Sequence, residues 1–429
     1  MNLKPTKPLS GFIELTPTQQ RAFDEYSGKL LGALKTAGFQ RLDLPTIERF
    51  EVLTDKENFE DIDTEMYVFE KGDTKMGLRY DGTIGLARYV AGHLNDIAFP
   101  FRACQMAKNY RAERPQKGRY REFYQIDLDI LGQGELSANY DVEIIATTNA
   151  ALKSIEGAIG EVYVRVGNRA FWNAAFKLLG ISDEKARGLL VLIDKKDKMS
   201  AEDFEKALID STGDSKVSEI LKDYKSIAGK SAAVDAAIRD LEFIVEQARA
   251  MGCDARLDLS IMRGHGYYTG SVFEFFLKNS DMKSSVAAGG RYENLVDKFS
   301  KTKIVGVGAG FGPSRLLVPP LEDGKIDLAE FARQADAIVL PMGQAYVPAA
   351  MEAAAKLRAS GAITTAFLDA DKKFKHQIEY ADKTGARFAV IIGEDEAKQG
   401  VVALKDMQSG EQAAVSIQDA IQTISRTQD

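Results

Sequence analysis

The most informative segment is YRAERPQKGRYREFYQIDLDILG, Tyr110 to Gly132. Its second half alternates with the period of a β-strand. Tyr124, Ile126, Leu128 and Ile130 point one way and suit a core. Arg121, Phe123, Gln125, Asp127 and Asp129 point the other way. That face offers a cation, an aromatic ring, an amide and carboxylates. The set suits a pocket that stacks a base, holds phosphate and hydrogen-bonds a small polar ligand. A solvent-exposed hairpin with scattered charges fits the spacing equally well.

Three further segments draw notice. RGHGYYTGSVFEF, Arg263 to Phe275, reads as a Gly-rich turn feeding an aromatic strand. AAGGRYENL, Ala287 to Leu295, places glycines before Arg291 and Tyr292, which fits a turn with close backbone approach. GVGAGFGPSRL, Gly306 to Leu316, has alternating glycines that strip side chains from one strand face. A flat ligand could lie there, and a tightly packed strand crossing explains the pattern as well. The cysteines are Cys104 and Cys253, with no CxxC. They describe neither a zinc site nor a disulfide framework, and a reducing, cytoplasmic setting is expected.

The elements that must position these residues follow from local pattern. Thr16, Pro17 and Gln19 form a capping box that opens a helix with Phe23, Leu30, Leu31 and Leu34 on one face, stopping at Gly38. Tyr67 to Glu70 and Thr74 to Arg79 predict a hairpin around Gly72-Asp73. Ile84 to Leu94 and Asp141 to Ser154 read as helices. Cys104 to Arg111 and Arg121 to Leu131 read as strands joined by a polar loop, with further strands at Val272 to Leu277 and Gly306 to Phe311. Phe171 to Met251 is mostly helical and charged, an all-α insertion at about 170–250. After Pro319-Pro320 the composition changes. The order βαβαβ follows, with strands at Ala337 to Leu340, Ile363 to Leu368 and Phe388 to Ile392 and helices at Tyr346 to Ser360 and Lys373 to Thr384. It implies a small α/β domain with a mainly parallel sheet. The expected domains are 1–325 and 332–429.

With 429 residues the chain exceeds one ordinary domain. Hydrophobic residues at 45% and charged residues at 28% give the balance of a soluble globular protein. Met1 to Phe12 lacks the apolar core of a signal peptide, and no membrane span is expected. The net charge of −7 does not advertise a nucleic-acid partner. Between Arg102 and Arg121, however, lie Arg102, Lys108, Arg111, Arg114, Lys117, Arg119 and Arg121 against Glu113. Such a basic patch can handle phosphate on an acidic protein.

Arg111-Ala112-Glu113, then a loop and Arg-Glu-Phe, resembles motif 2 of class II aminoacyl-tRNA synthetases. The string ERPQKGRYREFYQ is similar to the histidine-specific members. The resemblance implies that Arg111 grips the α-phosphate of ATP, Glu113 meets the adenine amino group, Arg119 contacts the phosphate tail and Phe123 stacks on adenine. Gln125 and Asp129 would line the histidine pocket, and Gln116 would read a base at the tRNA acceptor end. RGHGYYTGSVFE resembles the histidine-specific signature. It implies Arg263 at the α-phosphate, where a permanently charged fork suits the task, with Tyr267 and Tyr268 beside the imidazole. Where many relatives have an apolar residue and aspartate, this chain has His265 and Gly266. His265 is expected to be structural. Tyr292 would complete the pocket, and GVGAGFGPSRL looks like motif 3, with Arg315 on the γ-phosphate. GFQRLDLPTIERFEVL, Gly38 to Leu53, resembles the dimer-forming motif 1. LRYDGT resembles the amino-acid clamp, with Asp81 and Thr83 on the substrate ammonium. LKDMQSGEQAAV and QIEYADKTGARFAVIIGEDE look like the family's anticodon-binding domain.

The fold implied is an α+β class II catalytic domain, an antiparallel sheet with helices and a helical insertion, plus a carboxy-terminal α/β anticodon-binding domain. The activity implied is histidine–tRNA ligation through histidyl-adenylate, with Arg111, Arg263 and Arg315 stabilising charge. Histidine, ATP and histidine tRNA are the implied partners, in a homodimer. Magnesium accompanies ATP, held largely by phosphate oxygens, and no protein-held metal is expected. The rival reading is a catalytically inactive synthetase-like regulatory subunit of histidine biosynthesis. Such subunits lose ATP residues that this chain keeps. A class II synthetase of other specificity, and a bare tRNA- or protein-binding module, are the remaining rivals.

Overall fold

The computed structural model describes residues 4–54, 65–262, 268–282 and 284–426. The chain forms two compact units: residues up to Glu14 with Phe23–Ile326, and Leu15–Ala22 with residues from Asp327 onward. The first helix spans Pro17–Thr36. Its expected reciprocal cap is present: the Thr16 amide donates to Gln19 Oε1 at 3.0 Å and the Gln19 amide to Thr16 Oγ1 at 3.4 Å. Phe23, Leu30 and Leu34 are buried.

The first unit holds strands β1 (Gln40–Arg41), β2 (Ile47–Arg49), β3 (Val68–Lys71), β4 (Thr74–Leu78), β5 (Phe101–Tyr110), β6 (Glu122–Gln133), β7 (Val162–Asn168), β8 (Ala255–Leu257), β9 (Tyr268–Leu277), β10 (Ala287–Tyr292) and β11 (Ile304–Phe311). Eight of them form one sheet in the order β1-β5-β6-β11-β10-β9-β7-β8. It is antiparallel throughout its centre, with parallel pairs only at its two edges, β1–β5 and β7–β8. The small sheet β2-β4-β3 carries the expected hairpin. The alternation of β6 holds: Ile126, Leu128 and Ile130 are fully buried on one face.

The reading of Gly289-Gly290 as a turn is corrected. These residues lie inside β10, paired with Phe273 and Val272 of β9. Close approach is what they supply, since a Cβ on Gly290 would stand 2.6 Å from the Ser271 carbonyl oxygen. The insertion is helical as expected, with helices Arg169–Leu178, Asp183–Asp194, Ala201–Thr212, Lys216–Lys222 and Ala232–Ala250. Trp172 lies in the first of these, fully buried, and its Nε1 donates to the Leu259 carbonyl at 2.8 Å.

The second unit has strands β12 (Ala337–Pro341), β13 (Thr364–Ala366), β14 (Phe388–Ile392), β15 (Val402–Asp406) and β16 (Gln412–Val415) in the order β13-β12-β14-β15-β16. β12 pairs in parallel with β13 and β14, as the βαβαβ pattern implies. The expected mainly parallel sheet is corrected on its other side, because β14–β15 and β15–β16 are antiparallel. Between β15 and β16 a tight turn makes this possible without a crossover. The amides of Gln408 and Ser409 donate to Asp406 Oδ1 at 2.8 and 3.1 Å, and Gly410 takes a φ of +77°.

Candidate active site

A cavity of about 470 Å³ opens on the polar face of the large sheet. Its lining includes Asp81, Thr83, Arg111, Gln116, Arg119, Phe123, Gln125, Tyr268, Tyr292 and Arg315, ten of the site residues expected from the sequence. Neighbours in space come from distant segments because β6, β11, β10 and β9 lie side by side. Arg263 and Tyr267, and the His265-Gly266 departure, lie outside the described residues.

The cations gather on the hairpin that joins β5 to β6 and on the helix Pro313–Glu322. Arg111 lies over the Phe123 ring at 5.3 Å and donates to the Tyr80 carbonyl at 3.3 Å. The hairpin tip closes by paired backbone bonds of 3.0 and 2.8 Å between Gln116 and Arg119. Gly118 adopts a φ of +74° there, a conformation that favours glycine. Lys117 is tied to Asp323 at 2.7 and 2.8 Å. Arg315 donates to Ser284 Oγ. Burial, followed by the nearby charges of Arg119 and Arg111, pulls its pKa below the ordinary arginine value. Three guanidinium groups that repel one another around one cavity make a place for a polyanion.

The expected basic patch is narrower than its composition. Arg102 pairs with Glu143 at 2.7 Å, Lys108 with Glu122 at 2.8 Å, and Arg119 with Glu113. The neutralising acids Glu143 and Asp323 come from other parts of the chain, so a count along one segment misses them. Glu113, expected at adenine, does not line the cavity but holds Arg119. Arg121 donates to the Glu113 carbonyl at 3.1 Å and also stays outside the lining.

The acids occupy a deeper layer. Asp81 is 5% exposed, and its Oδ1 accepts from the Ile84 amide at 3.2 Å, at the start of the helix Thr83–Gly92. Burial raises its pKa despite that bond and the Arg111 charge. Asp127 is 5% exposed and accepts from Gln125 Nε2 at 2.5 Å. Burial pushes its carboxyl up to about 7, against Gln125, while Asp81 adds to the rise. Asp129 is pushed up to about 8, first by burial and then by Asp127. It does not reach the cavity but accepts from the Tyr292 hydroxyl at 2.8 Å. Asp127 lines the cavity although no motif singled it out as a ligand. Its place on the polar face of β6, next to Gln125, was the available signal.

Tyr292 is aimed by its neighbours. A register shift between Gly290 and Tyr292 breaks the regular pairing of β10 with β9. Arg291 turns away to Asp141, with Nε 3.2 Å from Oδ2, and to the carbonyls of Leu136 and Ser137 at 2.8 and 3.0 Å. The glycines of β11 make room for this arrangement. A Cβ on Gly306 would strike the Tyr292 ring, and one on Gly308 would strike Asp129. The bare strand face expected for a flat ligand is thus partly filled by the protein's own side chains, while Gly308, Gly310 and Gly312 still line the cavity.

No helix among the described residues is long and apolar enough to cross a membrane. Residues 11–316 match the family model for histidyl-tRNA synthetase, and residues 336–427 match that for an anticodon binding domain. A histidine–tRNA ligase of Clostridium tetani is 35% identical over 97% of both chains. One from Stenotrophomonas maltophilia is 35% identical over 96% of both. The crystal structure of the Nostoc histidyl-tRNA synthetase superposes with a TM-score of 0.84 at 29% identity, covering 99% of this chain and 100% of that one. A Bacillus halodurans structure described as an ATP phosphoribosyltransferase regulatory subunit/histidyl-tRNA synthetase shares the fold, with a TM-score of 0.73 at 20% identity, over 91% of this chain and all of its own. A catalytic unit and an anticodon-binding unit, each matched by its own family model and shared across nearly full-length relatives, place the chain in the histidyl-tRNA synthetase family of aminoacyl-tRNA ligases.

Proposed function

We propose that the protein joins histidine to its tRNA in two steps driven by ATP. The observation that carries this reading is one cavity lined by Arg111, Arg119 and Arg315 together with Asp81, Thr83, Gln125 and Tyr292. The guanidinium groups suit a triphosphate. Asp81 and the Gln125 amide suit the ammonium end of an amino acid. The histidine carboxylate attacks the α-phosphorus, forming histidyl-adenylate and releasing pyrophosphate. The terminal ribose hydroxyl of the tRNA then attacks the activated carbonyl and displaces AMP. No protein nucleophile is needed, because positioning and charge stabilisation lower both barriers. Arg111 and Arg315 stabilise developing phosphate charge, and Arg263 joins them through the family signature. Phe123, beneath Arg111, offers a face for adenine. Gln116, exposed at the hairpin tip, faces the incoming tRNA.

Magnesium accompanies ATP in this reading. Among the described residues no group of three or more His, Cys, Asp or Glu side chains is set to hold a metal ion. The domains divide the work as 1–325 for catalysis and 332–429 for the anticodon. Motif 1, which includes β2, pairs two copies of the chain. Ile47 on that strand is 48% exposed and gives such an interface an apolar contact. The protein works in the cytoplasm, beside its tRNA.

ATP–pyrophosphate exchange with purified protein and magnesium, run with each amino acid in turn, tests the reading. Exchange with histidine alone is expected, followed by charging of histidine tRNA. A folded protein that catalyses no exchange with any amino acid overturns it.

A further inference from the structure

Three acids, Asp81, Asp127 and Asp129, lie at or beneath the cavity floor, and the family resemblance gives a ligand role only to Asp81 and Asp129. Asp127 is the remaining one, and its placement is specific. It lines the cavity and is 5% exposed. Its Oδ1 is taken by Gln125. Its Oδ2 packs against Gly82, so closely that a Cβ on that glycine would collide with both Asp127 Oδ2 and Gln105 Nε2. Gly82 is the residue after Asp81, so the two carboxylates meet at the same turn. Gln105 fixes that turn by donating to the Gly82 carbonyl at 2.9 Å. Asp81 Oδ2 and Gln105 Oε1 are both buried and have no hydrogen-bond partner among the described residues. Unsatisfied acceptors at one buried turn, beside the cavity that Asp81 lines, want a donor with several protons.

An ammonium group supplies that: three donors and no acceptor. We propose that Asp127 acts with Asp81 as a two-carboxylate seat for the α-ammonium group of the amino acid, and that seating the ligand expels a proton from the pair. The inference rests on the histidine-activating reading and adds a residue and a proton to it.

The surroundings of Asp127 explain why the seat keeps a proton before a ligand binds. From its own strand it feels Gln125 and Asp129. From across β5 it faces Gln105, its cross-strand partner. From β11 it faces Gly310, which brings no charge. Arg79 and Arg111 act on it from the adjoining segments, and Asp81 from the turn. Arg79 is committed to the carbonyls of Lys108 and Leu44 at 2.9 Å each. Lys298 bears on Asp81. Tyr292 donates to Asp129. Two buried carboxylates at one turn do not both ionise readily. The carboxyl at about 7 therefore holds its proton for part of the time near neutral pH. When the ligand's ammonium arrives, the cation takes the place of that proton. Asp127 becomes a carboxylate, the proton passes to solvent, and no bond of the amino acid changes.

Isothermal titration of histidine into the full chain, at one pH near 7 in buffers of different ionisation enthalpy, counts the protons directly. Release of a fraction of a proton per histidine is expected. D127N replaces a carboxylate by an amide of the same shape. It should bind histidine roughly tenfold more weakly, by analogy with the loss of a charge-assisted bond, and should abolish the release. In exchange kinetics the same variant should raise the histidine KM with a smaller change in kcat. Wild type that binds histidine without releasing a proton overturns the proposal and leaves the histidine reading standing. So does D127N that binds as tightly as wild type with the same proton count. A folded wild type that binds no histidine overturns the seat and the reading beneath it together. The wild-type count needs no variant and so does not depend on D127N folding.

Discussion

The Tyr292 hydroxyl donates to Asp129 Oδ1 at 2.8 Å, and both groups are buried, at 1% and 3% exposure. The pair joins β10 to β6 across β11, where Gly306 and Gly308 leave the necessary space. Tyr292 presents its ring to the cavity while its hydroxyl steadies the acid behind it.

Y292F removes that donor and keeps the ring. A buried carboxyl then lacks a hydrogen bond, at a cost of about 1–3 kcal/mol. Denaturant unfolding should show this loss. Pyrophosphate exchange should show a histidine KM raised about tenfold, in line with the lost pocket geometry. Unchanged stability and KM would remove Tyr292 from the pocket.

D129N tests the sign of the pH dependence. The Asp129 carboxyl is raised from 3.8 to about 8 by burial and Asp127. A folded value above the unfolded one stabilises the protein fully below the unfolded pKa. That contribution is lost as pH rises through the folded value. Wild type should therefore lose stability between about pH 4 and 9, and D129N should lose less. At pH 9 the variant should be more stable by roughly 2–5 kcal/mol, and near pH 5 the gap should shrink. Thermal melts across this range check it, and a pH-independent difference would contradict it.

G308A and G188A separate a packed glycine from an idle one. A Cβ at Gly308 would strike Asp129 and stand 2.9 Å from the Leu128 carbonyl oxygen. G308A should cost about 3 kcal/mol or more and disable exchange. Gly188 is exposed within the helix Asp183–Asp194 and has nothing within 4 Å of its Cβ position. G188A should gain about 0.5–1 kcal/mol and leave exchange untouched.

R315A takes one charge from the three-arginine group. Exchange should fall roughly 100-fold in kcat/KM for ATP, as expected for a preorganised charge-stabilising donor. Histidine binding without ATP should be unchanged by calorimetry. A parallel loss of histidine affinity would place Arg315 at the amino acid instead.

Much of the site is legible in the sequence because β6 alternates so cleanly. Gln125, Asp127 and Phe123 reach the cavity as their period requires. Asp129 obeys the same period yet falls short of the cavity, because Tyr292 from β10 stands on the same face. No local pattern carries that information. β10 was hidden for a related reason. Its residues Ala287 to Gly290 are small and buried, so it shows neither alternation nor β-branched side chains. Lys117 with Asp323 and Arg102 with Glu143 join residues far apart in sequence. A run of cations cannot disclose partners that only folding brings near.

Trp172 is the chain's single tryptophan. It is sealed from solvent and bonded to the Leu259 carbonyl, in the turn that runs on toward Arg263. The protein therefore carries its own optical probe at the root of the signature segment. The emission of that one indole belongs to a dry environment, and a shift to the red would mark water entering there. Because no second indole contributes, such a shift could be assigned to this turn without labelling or subtraction.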